Sequence, residues 1–553
     1  MHKLINCLEE IKFNSKEGII QLAGYAFFDK IELINDKDIK KSLFILKENK
    51  KYYIPLENIE RQDISDVLGE KKYNYNFCGF SGIIDISYID DMSPLDEGCW
   101  SLGIYINCSG FEAECILNSN RMLDHEILKL PSVYFSKQKR LISIENKHNK
   151  IFIKSRCQDK TPINAICCNS INHLIGEEKS KEYIVSIVLL AIYKIFKLFR
   201  VKNNRVVFLS DSRIDFTGNF EFIYKELQQR GGYEIKSLLK PSISAKKSIK
   251  EKLKFLLYIS TSKYILLDDY YPQIYKYKIK DEIEVIQLWH ATGAFKTFGF
   301  SRLGKTGGPN VRSKNHRNYT KAIVSSSRIK KHYAEAFGIS EDKVVATGVP
   351  RTDIFFDETY KEKKIKELYE KYPILKEKKV IMFAPTFRGN GQKTAHYDFD
   401  QLDLELMYEQ LSQEYVIIMK LHPFIKNIPV WDSKYQDFIV DLSHEREIND
   451  LLFISDLLIT DYSSVCFEYA LLNRPMIFFA YDLEEYIASR DFYYPYESFV
   501  PGPIVKTSQE LVEIIKTENY NKEKLNQFRT KFFDHLDGKS TKRVVDMLLK
   551  LEK

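Results

Sequence analysis

The hydrophobic pattern of this chain changes character twice. Up to about residue 160, short runs rich in β-branched and aromatic residues, such as Ile19–Phe28 and Trp100–Ile106, are separated by turns rich in Asn, Asp, Gly and Lys. Roughly eight such runs with no helical spacing between them are typical of an antiparallel sandwich. We therefore predict that residues 1–160 form an accessory β-sandwich domain.

From residue 205 onward, apolar runs of three to five residues alternate with stretches of helical spacing. This alternation predicts parallel βαβ units. The charged stretch 358–378 separates two series of units, so we predict two doubly wound halves at residues 204–370 and 371–553. Parallel strands end at one edge of their sheet, and two such halves place their strand ends around a shared cleft.

The connecting segment, residues 161–203, has a pattern of its own. The apolar run Tyr183–Tyr193 is followed by four cations at near-helical spacing, namely Lys194, Lys197, Arg200 and Lys202. The run is too short to cross a bilayer. Two interpretations remain open: a helix packed between domains, or a helix lying on an anionic membrane surface.

Composition and charge narrow the class of protein. The 553 residues carry a net charge of +7, which is modest for this length and does not indicate nucleic-acid binding. The nine cysteines form no CxxC pair, and Cys167 and Cys168 are adjacent, which suits neither a zinc site nor a disulfide. The N-terminus lacks the apolar segment of a signal peptide. We expect a cytoplasmic protein with reduced thiols.

Four polar motifs lie at the ends of predicted strands, where they would face the cleft. They are Gln287–Lys296, Ala384–Asn390, Met419–Pro423 and Ile459–Ser464. His290 and His422 lie at strand ends of opposite halves, which favours a functional pair over two structural histidines. Ser463 and Ser464 precede a helical pattern, where unpaired N–H groups and the helix dipole favour a phosphate. Glu468 lies one turn later, within reach of a ribose hydroxyl.

In this order, the motifs resemble those of the CDP-glycerol/CDP-ribitol polyol-phosphotransferase family, which builds wall teichoic acids in Gram-positive bacteria. Members carry Trp-His-Gly/Ala-Thr, Ala-Pro-Thr-Trp/Phe-Arg, Lys-Leu/Met-His-Pro and Thr-Asp-Tyr-Ser-Ser, and the resemblance covers about residues 203–550. Ala291 replaces a glycine of the wider family and Phe387 the commoner tryptophan. Further segments resemble the poly(ribitol-phosphate) polymerase branch: Gly299–Pro309, Tyr333–Ile339, Thr347–Asp353, Arg388–Gly391, Thr394–Tyr397 and Arg490–Tyr493.

The resemblance implies an α/β fold of the GT-B type and a transfer of ribitol phosphate from CDP-ribitol to the terminal hydroxyl of a lipid-linked acceptor, with release of CMP. Its implied partners are an undecaprenyl-diphosphate-linked primer and the inner membrane surface, which makes the protein peripheral on the cytoplasmic face. A homo-oligomer, a CDP-glycerol-dependent polymerase or primase, and a non-catalytic glycopolymer-binding protein stay open. No cofactor and no tightly bound metal are expected.

Roles for single residues follow from these motifs. We predict that His290 is the general base and that His422 stabilises the leaving CMP. Asp211 and Asn219, in a polar loop after an earlier strand, are expected near the acceptor or polyol. The pair Asp268–Asp269 is interpreted as loop carboxylates rather than a metal site. The expected donor-binding residues are Thr292, Gly293, Arg351, Pro385, Thr386, Arg388, Lys420, Ser463, Ser464 and Glu468.

Overall fold

The computed structural model describes residues 2–14, 19–69, 72–86, 89, 95–119, 127–130, 139–147, 149–158, 177–305, 308–389 and 394–549. The adjacent Cys167 and Cys168 lie outside these residues, as does the part of the predicted linker that precedes residue 177.

The N-terminal region folds into two antiparallel sheets that share one apolar core, as predicted for a sandwich. One sheet has the strand order β1-β2-β6-β5, the other β4-β3-β7-β11-β10-β9, with β8 paired to β7. Leu22 and Phe80 from the first sheet meet Trp100 and Ile153 from the second in that core. The elements are β1 (Leu4–Asn14), β2 (Ile19–Phe28), β3 (Ile39–Lys47), β4 (Lys50–Pro55), β5 (Glu57–Ile59), α1 (Gln62–Leu68), β6 (Gly79–Asp85), β7 (Gly98–Cys108), β8 (Phe111–Ile116), β9 (Ile127–Leu130), β10 (Lys139–Lys147) and β11 (Lys150–Gln158).

A 20-residue helix, α2 (Glu177–Phe196), leads into the first α/β half. Its Tyr193 is buried against Tyr277, with the ring centroids 4.8 Å apart, so one side of the helix packs on the protein. Other apolar side chains of the helix, among them Ile187 and Ile195, are at least half exposed. Within the described residues, no helix combines the length and apolar character that crossing a bilayer requires.

The first half is a parallel sheet with the order β13-β12-β14-β15-β16-β17. Its elements are β12 (Lys202–Ser210), α3 (Asn219–Arg230), β13 (Glu234–Leu239), α4 (Ile249–Thr261), β14 (Ser262–Leu267), β15 (Glu284–Gln287), β16 (Lys321–Ile323), α5 (Lys330–Phe337), β17 (Val344–Val345) and α6 (Glu358–Lys371). Local chemistry fixes several ends: Ser248 and Glu251 form a capping box at the start of α4, and Gly338 ends α5 in the left-handed conformation.

The second half is also a parallel sheet, with the order β20-β19-β18-β21-β22-β23. Its elements are β18 (Lys379–Ala384), α7 (Leu404–Leu411), β19 (Tyr415–Met419), β20 (Ile439–Asp441), α8 (Ile448–Phe453), β21 (Leu457–Thr460), α9 (Val465–Ala470), β22 (Met476–Phe479), α10 (Leu483–Arg490), α11 (Tyr496–Phe499), β23 (Ile504–Val505), α12 (Ser508–Thr517), α13 (Lys522–Phe532) and α14 (Ser540–Leu548). In each sheet, the next strands along the chain are added on one side of the first strand and the later ones on its other side. This is the doubly wound arrangement predicted.

The last helix, α14, returns to the first half. Its Val544 and Val545 are fully buried in one apolar cluster with Phe208 and Phe220. The predicted segment 371–553 therefore contributes its final helix to the core of the neighbouring half, a connection that the order of strands and helices along the chain does not reveal.

Two charged clusters attach the β region to the α/β halves. Glu112 of β8 accepts from Lys331 at 2.6 Å in the first half and from Lys531 at 3.0 Å in the second. A second carboxylate, Asp491, pairs with Lys40 of β3 and with Lys305. A cavity of about 700 Å³ lies beside this second cluster, between the β region and the halves, and contains none of the predicted site residues.

Candidate functional site

His290 lies just past β15, held by a buried glutamine. The side chain of Gln287 accepts from Trp289 N at 2.9 Å and donates to Asp269 O at 3.1 Å. Trp289 adopts a positive φ of 53°, which costs a bulky residue energy and turns the following residue out of the strand direction. The His290 side chain is 46% exposed, so it is open to a substrate.

Asp269 is the partner of His290. Its Oδ1 lies 3.2 Å from His290 Nδ1. Burial of the carboxyl is the largest single influence and opposes ionisation, but the hydrogen bond and charge of His290, together with hydrogen bonds from Tyr270 N and Ser212, lower the pKa of Asp269. A carboxylate that accepts from Nδ1–H leaves the Nε2 lone pair free, which is the arrangement of a general base. The neighbouring Asp268 pairs instead with Arg213.

Asn219 joins the His290 loop to the segment that carries Arg351. Its side-chain amide donates to Trp289 O at 2.7 Å, and its carbonyl accepts from Arg351 N at 3.0 Å. The residue is only 2% exposed. Because the amide and the carbonyl of this side chain both bond to backbone groups, Asn219 holds the two loops together. Asn219 therefore has no accessible polar atom for the predicted contact with the acceptor or polyol.

Asp211 is likewise withdrawn from the surface. Its carboxylate accepts from Lys247 Nζ at 2.5 and 2.7 Å. Burial raises the pKa of Asp211, and the ammonium of Lys247 opposes that shift. Asp211, at the start of the loop predicted to contact the acceptor, is therefore engaged in an internal ion pair.

Glu468 connects the two halves. Its Oε1 accepts from Thr292 Oγ1 at 2.6 Å and from Arg351 Nη2, both in the first half. Gly293 approaches the same helix, because a Cβ built on it would lie 2.2 Å from Cε1 of Phe467. Helix α9 of the other half thus approaches Gly293 closely, and the φ of 72° at Gly293 is also one that glycine adopts readily.

Arg388 is enclosed by carboxylates and tyrosine rings. Its guanidinium donates to both oxygens of Asp482 at 2.5 and 2.8 Å and to Asp461 Oδ2 at 2.8 Å. Burial alone would lower its pKa, but Asp461 and Asp482 raise it. Four rings lie within 5.5 Å of the guanidinium carbon: Tyr397, Tyr462, Tyr481 and Tyr486. A guanidinium held this way fixes its loop. Most of its N–H donors are engaged within the protein, so few remain for a donor phosphate.

The loop after β18 is fastened to the loop after β21. Thr386 N donates to Asp461 Oδ1 at 2.8 Å, so Pro385 and Thr386 lie beside the start of α9. Ser463 and Ser464 are partly exposed there, and Ser464 makes no side-chain capping bond to the helix. The predicted donor-binding segments are therefore neighbours in space.

His422 and Lys420 follow β19. His422 is exposed, and its Nδ1 accepts from Phe424 N at 3.1 Å, so a neutral ring carries its proton on Nε2. Although the residue is exposed, part of the ring is withdrawn from water; this partial burial, then Lys296 and then Lys420 lower the pKa of His422, which favours the neutral ring. The ammonium of Lys420 donates to Ser443 O at 3.0 Å and Glu445 O at 2.5 Å, which ties down a neighbouring loop.

Two residues of the site were not predicted. Asp269 was interpreted only as a loop carboxylate, although its place directly after β14 was a usable signal. Lys296 ends the first motif, and its charge interacts with Asp461 and His422 of the other half. Among the described residues, no group of three or more His, Cys, Asp or Glu side chains is placed to hold a metal ion.

Comparison with known proteins places these motifs in a family. The model described as CDP-Glycerol:Poly(glycerophosphate) glycerophosphotransferase matches residues 191–550. A teichoic acid poly(ribitol-phosphate) polymerase of Bacillus spizizenii is 43% identical over 97% of this chain and 88% of its own length. The ribitol-phosphate polymerase TarL of Staphylococcus aureus is 48% identical over 64% of each chain.

Solved structures agree with the α/β part of the fold. The wall teichoic acid polymerase TagF superposes with a TM-score of 0.54 at 25% identity, covering 67% of this chain and 96% of that one. The order of the motifs, the paired α/β halves and the extent of the sequence match lead to one conclusion: this chain belongs to the CDP-glycerol:poly(glycerophosphate) glycerophosphotransferase family.

Proposed function

We propose that this protein is a polyol-phosphate polymerase that transfers ribitol phosphate from CDP-ribitol to the terminal hydroxyl of a lipid-linked acceptor chain and releases CMP. The observation that carries this proposal is the similarity to the poly(ribitol-phosphate) polymerase over 97% of the chain, including the N-terminal β region. The two doubly wound halves would then form a GT-B-like pair, with the acceptor on the His290 side and the donor on the His422 side.

The reaction begins with activation of the acceptor. An alcohol is a weak nucleophile at neutral pH, so its proton must be taken up as it attacks the phosphorus. His290 serves as the base through Nε2, because Asp269 occupies Nδ1. Asp269 also stabilises the imidazolium that forms. The attack displaces CMP in line, and most of the rate comes from positioning and electrostatics.

The donor side then stabilises the departing CMP. His422 donates from Nε2, and the start of α9 at Ser463 and Ser464 offers N–H groups to the phosphate. Arg388 acts indirectly: it holds Asp461 in place, and Asp461 in turn holds the loop that contains Thr386. Glu468 has one oxygen engaged by Thr292 and Arg351, so a ribose hydroxyl would meet the other.

The acceptor is expected at a membrane, and α2 supports that expectation. Apolar side chains along α2 and the turn after it are exposed, ending with Leu198 at 83% and Phe199 at 47%. Cations surround this strip: Lys194, Lys197, Arg200 and Lys202 beside it, and Lys246, Lys250 and Lys254 on the adjoining α4 region. Exposed apolar surface beside cations suits an anionic bilayer surface.

CMP release tests the function directly. Purified protein is given CDP-ribitol or CDP-glycerol with a primed acceptor, and CMP is measured for both. We expect CMP from CDP-ribitol, and we expect the His290→Ala variant to release none while still binding the donor. The family description names a glycerophosphotransferase, so faster turnover of CDP-glycerol would replace the ribitol assignment. Absence of CMP from both donors would refute the transferase.

A further inference from the structure

The backbone around Lys296 is fixed across the two halves. Lys296 forms an isolated antiparallel bridge with Phe492. On either side, Tyr493 N donates to Phe295 O at 3.0 Å, and Thr297 N donates to Asp491 O at 3.2 Å. A loop of the first half is thereby held against the second half at the residue that carries the ammonium.

The Lys296 side chain enters the second half and has few partners there. Its Nζ donates to Tyr486 Oη at 3.1 Å, and no carboxylate in the described part of the chain forms an ion pair with it. The ring of Tyr486 stacks on Tyr462 at a centroid distance of 3.8 Å and cannot move freely. The other charged or titratable groups that face the ammonium are Asp461, Arg388, Arg490, Cys466 and His422.

This surrounding is unfavourable for a cation. Burial is the main influence and lowers the pKa of Lys296 to about 8. Asp461 opposes the shift, but that carboxylate already accepts from Arg388 and from two backbone N–H groups. Lys296 is partly buried, and a charge withdrawn from water is stabilised by pairing. An ammonium has three donors, and Tyr486 takes one of them, so two are available to an anion that is not part of the protein.

We propose that Lys296 binds the diphosphate of the CDP-polyol donor, reaching it from the half that carries the general base. The proposal rests on the proposed function, since it names a contact within that site. The anion accepts the donors that Tyr486 leaves unused, and its charge offsets the repulsion between Lys296 and the neighbouring cations Arg490 and Arg388. Because Lys296 and His290 share one loop, donor binding also positions the base.

Binding measurements with CDP and cytidine test this contact, since the two ligands differ only in the diphosphate. The Lys296→Met variant keeps the length of the side chain and removes the charge. We expect it to bind CDP about 10- to 100-fold more weakly, the range for a lost charged hydrogen bond, with cytidine affinity unchanged. Lys296→Arg should recover most of the CDP affinity. The control is Lys366→Met, at a lysine that is 77% exposed on α6.

The pH dependence gives a second readout. Wild-type affinity for CDP should fall as the pH rises above about 8, where Lys296 loses its proton, and the Lys296→Arg variant should stay level over that range because arginine remains charged. Thermal unfolding of each variant establishes that it is folded.

The outcomes separate this inference from the proposed function. Unchanged CDP affinity in Lys296→Met, or an equal loss for cytidine and CDP, overturns the role of Lys296 and leaves the transferase standing. Wild-type protein that binds CDP but releases no CMP from either CDP-polyol overturns the transferase and leaves the phosphate contact standing. Wild-type protein that neither binds CDP nor releases CMP from either CDP-polyol overturns both.

Discussion

At the scale of single residues, hydrogen-bond partners decide which of the charged groups can act on a substrate. His290 and Asp269 leave one imidazole nitrogen free, whereas Arg388 and Asp211 are neutralised by opposite charges within the protein. An arginine that donates to two carboxylates is a structural element even when it lies in a motif of catalytic residues. Lys296 is the reverse case, since none of the described carboxylates forms an ion pair with it.

Replacing Asp269 by asparagine should reduce turnover without weakening donor binding. The amide cannot stabilise the imidazolium and can hold the wrong tautomer of His290, and we expect CMP release to slow by about 100-fold or more. Affinity for CDP should stay within the error of the wild-type value. The matched control is Asp281→Asn, at an exposed position. Turnover equal to the wild type would show that Asp269 does not orient the base.

At the scale of elements, the loop after β15 and helix α9 form a contact between the halves on which the site depends. Gly293 faces the ring of Phe467, and Thr292 bonds to Glu468 one residue further along the helix. The same six-residue helix thus carries packing, an inter-half hydrogen bond and the predicted phosphate-binding serines at its start. Changes in this contact should affect stability and activity together.

Gly293→Ala tests that contact. The added methyl meets the Phe467 ring and the residue keeps a positive φ, so we expect a loss of about 2–4 kcal/mol. The thermal midpoint should fall by several degrees, and CMP release should fall with it. Gly110→Ala, in the turn between β7 and β8, is the control, because it also has a positive φ, of 86°, and nothing within 4 Å of the place that its new methyl group would take; it should lose only about 1 kcal/mol. Equal losses in the two variants would mean that Phe467 moves aside freely.

A separate prediction concerns the binding of helix α2 and the adjoining start of α4 to a membrane surface. Reversing the exposed cations Lys194, Arg200, Lys246, Lys250 and Lys254 to glutamate should weaken binding to vesicles that contain anionic lipid by at least about 100-fold, at roughly 1 kcal/mol per cation. Cosedimentation with vesicles measures this, and CMP release with a water-soluble acceptor should be unchanged. Reversal of Lys363 and Lys366 on α6 is the control. Retained affinity after reversal of the first set would contradict the membrane surface.

At the scale of the whole molecule, the β region is attached to both α/β halves at once. Glu112 contacts Lys331 and Lys531, which come from different halves, and Asp491 of the second half contacts Lys40 of the β region. Burial opposes the ionisation of Glu112, but the two lysines lower its pKa to about 2. A single carboxylate therefore helps to set the positions of three parts of the chain.

Glu112→Gln should loosen this attachment. Removing the charge leaves two partly buried lysines without their partner, and we expect a loss of about 1–3 kcal/mol. Because the pKa of Glu112 is lowered in the folded protein, its contribution is present above the unfolded pKa of about 4 and disappears as the pH falls toward 2. The thermal midpoints of wild type and variant should therefore converge in acid. Glu10→Gln, at an exposed carboxylate that pairs with Lys12 on the same strand, is the control. A constant difference at all pH values would contradict this role.

The sequence alone determined the class of fold, the order of the motifs and the family. The strand Ile19–Phe28 was predicted with the bounds that the structure has, because an alternating or apolar run is a local signal. β13, whose residues are only partly buried at the edge of its sheet, lacks such a signal and was not predicted. The motifs were found because each directly follows a buried strand.

Only the tertiary structure decided what each polar side chain of those motifs does. The partners of His290, Arg388 and Asn219 lie between 21 and 132 residues away in the chain, and hydrogen bonds depend on distances of a few tenths of an ångström that no local pattern encodes. The return of α14 to the first half depends in the same way on long-range packing. A sequence records which charges are available, and the fold alone settles which of them remain unpaired for a substrate.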